Sequence, residues 1–159
     1  MGLFDSIFEP PFKRRRDGTF SVNLPEDERE FIQGLVRQLQ EMITTDNPAL
    51  ARLFPPPYGD DEERNQGYAV LAGSELLEGK LEAMDQMVAT MQSAQLTEDE
   101  LHVWMKTIND LRLVLGTILD VSDDDYEDEI PEDEHAQAIY GAYQFLGLTL
   151  ERIVQALSS

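Results

Sequence analysis

The sequence predicts a mainly α fold: a helical bundle of about four long helices with a short N-terminal β-hairpin. Three observations carry this. Apolar residues recur every three or four positions in four separate segments. Helix-opening chemistry, a proline or a threonine followed by acids, stands before three of those segments. The one strand signal, Asp17-Gly18, lies between two short runs near the N-terminus.

The hairpin comes first. Asp17 and Gly18 both tolerate positive φ, so Phe12–Arg16 and Thr19–Asn23 are its expected strands. Two short strands are marginal in water, so the hairpin must lean on the helices or on a second copy of itself. Pro25 is expected at the first helical position of the next element, followed by Glu26, Asp27 and Glu28, whose charge suits a helix N-terminus. Ile32, Leu35, Leu39 and Met42 form its apolar stripe, and Asn47-Pro48 ends it. Residues 48–67 are the least regular stretch: a helical turn or two at Ala49–Phe54, a stop at Pro55-Pro56-Pro57, then an acidic surface loop.

A second helix is expected from about Tyr68 to Met91, with Val70, Leu77, Leu81, Met84, Val88 and Met91 on one face. Gly73 and Gly79 weaken it and point to a close approach by another helix. Thr97-Glu98-Asp99-Glu100 reads as a capping box that opens a third helix, with Leu101, Trp104, Ile108, Leu111 and Leu115 as its stripe and an end near Leu119. Residues 120–134 hold ten carboxylates and no base, and read as a solvated loop. Pro131 then opens the last helix, whose seam is Ile139, Tyr143, Leu146, Leu150, Ile153 and Leu157.

A length of 159 residues suits a single helical domain over 1–159, with the hairpin at 1–24 and the bundle at 25–157. The formal net charge of −20 repels polyanions, which excludes nucleic-acid binding over the whole surface. With no cysteine, these residues form no disulfide and no thiolate site, and a reducing, cytoplasmic setting fits. No apolar run reaches the roughly 18 residues a membrane span needs. Met1-Gly2-Leu3-Phe4-Asp5-Ser6 matches the loose myristoylation pattern, which is short enough to arise by chance.

No catalytic, cofactor-binding or metal site is expected. The tract at Asp120–Glu129 lacks the glycine and the ligand offsets of a calcium loop. Glu132-x-x-His135 is a single pair, where a dimetal bundle needs two with further inward acids. His102 reads as a surface histidine beside Glu98, Asp99 and Glu100. Neither a Gly-rich phosphate loop nor a nucleophile elbow is present. Arg112 borders the third-helix seam, so it needs a partner. A structural ion pair with Glu75 or Glu78 is the expectation, with a ligand-binding arginine as the alternative.

Lys13, Arg14, Arg15 and Arg16 form the one basic run. Three roles stay open for it: gripping phosphates or a partner, pairing with the molecule's own acids, or guarding a strand edge. In a two-stranded ribbon Lys13 and Arg15 share one face and Arg14 and Arg16 the other.

Three stretches belong together: Arg52-Leu53-Phe54-Pro55-Pro56-Pro57-Tyr58, Leu76-Leu77-Glu78-Gly79-Lys80-Leu81, and Asn109-Asp110-Leu111-Arg112-Leu113-Val114-Leu115-Gly116-Thr117. With the arginine-rich hairpin they resemble, in order and over nearly the whole chain, an actinobacterial family named AosR, formerly catalogued as a domain of unknown function. The resemblance implies a non-enzymatic regulator of transcription acting through macromolecular contacts, with a protein partner such as a sigma factor. It leaves open whether DNA is touched directly, whether the chain is an adaptor without nucleic acid, and whether it forms a homodimer. It departs from an oxidation-sensing family in one respect: without cysteine, disulfide sensing cannot operate in these residues.

Overall fold

The computed structural model describes residues 9–45, 47–54, 62–119 and 133–159, with the backbone alone for 62–74. The expectations for Met1–Ser6, for the prolines at 55–57, for Val70 and for most of the acidic tract lie outside the described residues or side chains. Strands β1 (Phe12–Arg14) and β2 (Phe20–Val22) are followed by helix α1 (Glu26–Met42) and a 3-10 turn at Pro48–Leu50. Then come α2 (Glu62–Thr90), β3 (Gln95–Leu96), α3 (Glu98–Ile118) and α4 (Glu134–Leu157). The fold is mainly α, as the sequence predicts.

Helix α3 is the centre, packing against α2 and α4 and more lightly against α1 and the 3-10 turn. Its start is the capping box: Glu100 N–H donates to Thr97 Oγ1 at 3.1 Å, and Thr97 N–H donates to Glu100 Oε1 at 2.8 Å. Both amides would otherwise lack partners at a helix end. Leu101, Trp104, Ile108 and Leu111 are buried along its seam. Pro25 sits at the cap of α1, in extended backbone, one place before the expected position. The buried face of α1 runs through Arg29, Ile32, Val36 and Leu39, so Leu35 and Met42 lie only at its margin. Helix α2 starts six residues before the expected Tyr68, at Glu62. A Cβ on Gly79 would meet nothing within 4 Å, so this glycine does not serve a close helix approach.

The described part of the irregular stretch after α1, residues 47–54, packs on the core. Asn47 Oδ1 accepts from Ala49 N–H at 2.9 Å, and Ala49, Leu50 and Leu53 are buried in the core.

The hairpin loop has three residues, where the sequence suggested two. Gly18 N–H donates to Arg15 O at 3.1 Å and Arg15 N–H to Thr19 O at 2.7 Å, with Gly18 at φ 87°. A tight turn followed by a left-handed glycine is a favoured three-residue hairpin loop. The hairpin leans on the helices, and it gains a strand. The sheet order is β1-β2-β3, all antiparallel, with Phe20 opposite Leu96. Phe12, Phe20 and Val22 join the same apolar cluster as the helices. The Phe12 ring meets Trp104 edge-on at 6.1 Å, and the Trp104 indole donates to Thr90 Oγ1 at 2.7 Å.

Candidate functional site

The hydrogen-bond pattern of the hairpin fixes which way its residues face. Asn23 N–H donates to Pro11 O and Arg15 N–H to Thr19 O, so residues 11, 13 and 15 turn their backbone toward β2. Phe12 and Arg14 stand opposite Val22 and Phe20 as non-bonded pairs, with side chains toward the helices.

Arg14 is therefore split from the rest of the basic run. Its Nη2 donates to Leu157 O at 3.0 Å and lies 3.9 Å from Glu98 Oε1. Its guanidinium carbon sits 4.7 Å from the Phe20 ring centroid. Helix α4 has no basic residue in its last turn. Arg14 supplies from the hairpin the cation that a helix C-terminus favours, and its contact with Glu98 joins that end to the start of α3. Arg14 Nε is buried without an acceptor among the described residues.

Lys13, Arg15 and Arg16 are exposed. Arg15 Nε lies 3.9 Å from Asp17 Oδ1, a solvent-exposed and weak pairing. Arg16 belongs to the loop, so the expected shared face with Arg14 does not form. The Asp17 carboxyl is held below its ordinary pKa by the Thr19 hydroxyl, which donates at 2.6 Å, then by the Thr19 amide at 3.0 Å, with a smaller effect of Arg15. The loop that carries the cations is thus pinned by a carboxylate.

Two concavities flank β1. One, of about 660 Å³, lies between the strand and the end of α4 and is lined by Phe12, Lys13, Arg14, Arg152, Gln155 and Ser159, with Glu9 at its margin. The other, of about 670 Å³, runs over the hairpin between Lys13, Arg15, Arg16, Asp17 and Asn23. A third hollow of about 520 Å³ lies between α2 and α3, beside the ion pair of Lys80 Nζ and Asp110 Oδ2 at 3.0 Å.

Behind the hairpin, Arg29 is a structural centre that sequence reasoning missed. Only 7% exposed, it donates to four backbone carbonyls. Nε reaches Leu24 O at 3.0 Å and Nη2 reaches Val22 O at 3.0 Å. Nη1 reaches Met91 O at 2.6 Å and Ser93 O at 3.0 Å. Burial lowers its pKa from the ordinary guanidinium value, and Glu26 opposes the shift. One signal pointed to it: a charged residue three positions before Ile32, on the buried stripe.

Arg112 is not brought to Glu75 or Glu78. Both acids are exposed on α2, and among the described side chains the ion pair between α2 and α3 is Lys80–Asp110. Arg112 leans the other way, toward α4. Its guanidinium carbon lies 4.7 Å from the Tyr143 ring centroid, and a Cβ on Gly147 would stand 3.1 Å from its Nε. The guanidinium occupies the room that Gly147 leaves, one turn beyond the tyrosine it stacks on. Nearby, a Cβ on Gly116 would meet Arg52 Nη1 at 3.1 Å and Tyr143 at 3.2 Å. Two of the sequence stretches that carried the resemblance, at Arg52 and at Arg112–Gly116, thus meet at one end of the α3–α4 interface.

Among the described residues, no group of three or more histidines or acids could hold a metal ion. His102 and His135 are exposed, and Glu132 lies outside the described residues. No helix among the described residues is long and apolar enough to cross a membrane.

Comparison with known proteins supplies the remaining evidence. Residues 9–157 match the family described as a domain of unknown function, DUF2017. The putative oxidative stress regulator AosR of Mycobacterium leprae (strain TN) is 28% identical over 150 residues, covering 84% of this chain and 68% of the relative. The oxidative stress regulator AosR of Mycobacterium bovis (strain ATCC BAA-935 / AF2122/97) is 27% identical over 150 residues, covering 84% and 67%. That of Mycobacterium tuberculosis (strain ATCC 25618 / H37Rv) has the same 27% identity and the same coverage. No solved structure matches. With the match spanning the hairpin, the four described helices and the glycines that seat Arg112 and Tyr143, the chain belongs to the DUF2017 family and is AosR-like.

Proposed function

We propose that this chain is a non-enzymatic, cytoplasmic, transcription-associated regulator that acts by contacting a protein of the transcription machinery, such as a sigma factor. The observation that carries the reading is the hairpin. Lys13, Arg15 and Arg16 are exposed on a chain of net charge −20, and Arg14 and Phe12 hold the element in a defined pose. Cations presented on a rigid support lose less freedom on binding than cations on a loose tail. The relatives' names as oxidative stress regulators support the regulatory part. A sensing step by disulfide is not part of the proposal, because the chain has no cysteine.

Direct DNA binding is weak in this reading. Three exposed cations meet few phosphates, and the surrounding negative field opposes the approach. The adaptor reading, with no nucleic acid at all, is favoured by that same field, and one experiment separates the two. The tagged chain is used to capture partners from a native cell extract, with and without nuclease. A regulator docked on transcription proteins retains them after nuclease treatment and loses them in the Arg15→Glu/Arg16→Glu variant. Arg14 is left intact because it holds the fold. Capture of transcription proteins that is indifferent to both charge reversals refutes the hairpin as the contact element. Capture of partners unrelated to transcription leaves the adaptor reading.

A further inference from the structure

We infer that the groove between β1 and the end of α4 is a strand-addition site for an extended acidic peptide of a protein partner. The inference rests on the hairpin being the contact element and names the chemistry it recognises.

Strand β1 is one edge of the sheet. Residues 11, 13 and 15 bond to β2, so the N–H and C=O groups of Phe12 and Arg14 point away from the sheet. No backbone or side-chain hydrogen bond from the described residues satisfies them. An unpaired edge is a template for another strand. This one borders a hollow of about 660 Å³, whose far wall is the end of α4, at Arg152, Gln155 and Ala156, with Ser159 just beyond the helix. The spacing of three and four residues sets Arg152, Gln155 and Ala156 on one face of the helix. An edge strand beside a helix wall is a slot for a chain in extended form, whose backbone bonds to the edge and whose alternate side chains meet the helix.

The charge of the slot selects the occupant. Lys13, Arg14 and Arg152 line it with one acidic side chain, Glu9, on a chain of net charge −20. Lys13 lies on the outer face of the sheet and Arg152 on the helix wall, while Arg14 is already engaged by Leu157 O, so Lys13 and Arg152 are the cations that meet acids of the added strand. A nucleic acid fits less well, because it has no strand-spaced donors and acceptors for the edge and meets the body's repulsion. The usual guard of a sheet edge is a charged side chain such as lysine. Against a cationic partner Lys13 serves as that guard, and against an acidic one it attracts.

The test uses the whole 15N-labelled chain and three probes. The first is an alternating glutamate–valine peptide of about eight residues, the length of an ordinary strand. The second is the same peptide with alternate amides N-methylated on its pairing side. The third is a short DNA duplex. Strand addition predicts that the first peptide slows amide hydrogen exchange at Phe12 and Arg14 about tenfold or more, while the methylated peptide does not. Arg152→Glu should weaken binding of the first peptide by about tenfold, and Arg37→Glu, an exposed charge on α1, should leave it unchanged. The inference is overturned if Phe12 and Arg14 stay unprotected, if the methylated peptide binds as well, or if only the duplex perturbs the hairpin. Partner capture that depends on Arg15 and Arg16 without peptide protection sinks strand addition and leaves the hairpin reading standing. Peptide protection with capture indifferent to those arginines supports strand addition and sinks the reading in which Arg15 and Arg16 make the partner contact.

Discussion

Replacing Arg29 should cost more stability than any other single charged residue among those described. Its guanidinium ties β2, the start of α1 and the end of α2 through four carbonyls, two of them, Val22 O and Met91 O, in buried bonds. In Arg29→Met the apolar stem stays and the donors vanish. Hydrogen bonds to a charged group are worth about 1.5–3 kcal/mol each, so the two buried bonds represent about 3–6 kcal/mol. Releasing a buried charge that lacks a close carboxylate returns part of that sum. A net loss of about 3 kcal/mol follows, or about 6–12 °C in melting temperature for a chain of this length. Arg29→Lys should be no better than Arg29→Met. A lysine ammonium cannot span four carbonyls in the planar fork, and it keeps the desolvation cost. Arg37→Met, on the exposed side of the same helix, is the control and should melt within about 1 °C of the parent. The assay is thermal unfolding followed by far-ultraviolet circular dichroism. If Arg29→Met melts with the control, or if Arg29→Lys recovers the parent's stability, the four-carbonyl clamp is not what holds these elements together.

Gly79→Ala should stabilise α2 by about 1 kcal/mol, because a Cβ there meets nothing within 4 Å and alanine restricts the unfolded chain. Gly147→Ala should gain far less, since its Cβ stands 3.1 Å from Arg112 Nε, and denaturant titration of the two variants ranks them. Arg112→Ala should cost only about 1 kcal/mol, the scale of a partly exposed cation–π stack, and a loss above about 3 kcal/mol by the same titration would restore a buried ion pair. The Asp17 carboxyl has a lowered pKa in the folded chain, so its support of the hairpin loop is present above the ordinary carboxylate value and is lost as pH falls through the lowered one. The protection of the Thr19 amide, taken relative to its intrinsic exchange rate at each pH, should therefore drop on acidification in the parent, and Asp17→Ala should show no such step.

The local features of this fold were legible because their causes are local. A capping box needs only Thr97 and Glu100, three residues apart, and the seam of α3 needs only the period of the helix. Gly18 marked the hairpin because only a residue without a Cβ enters φ 87° freely. The cysteine count and the single basic run are properties of composition, and they bounded the chemistry without any coordinates. The stretch after α1 looked irregular because a single 3-10 turn is too short to show a period, yet Leu50 and Leu53 find the core from it.

Partner choice, by contrast, belonged to the tertiary structure. The sequence put Arg112 beside a seam and marked it as needing a neighbour. Whether that neighbour was Glu75 or Glu78 on one side or Tyr143 on the other depended on which helix packs against that flank of α3, and on the space left by Gly147. The same holds for the basic run. Four consecutive cations look alike in sequence, but strand pairing turns Arg14 toward Leu157 and Glu98 and leaves Lys13, Arg15 and Arg16 outside. Strand β3, two residues long, has no periodic signal of its own and exists because Phe20 and Ser21 offer an edge to Leu96 and Gln95. Hydrophobic period and capping act across a few residues. Arg29 reaching Met91, and Arg14 reaching Leu157, are contacts that arise only once the chain has closed on itself.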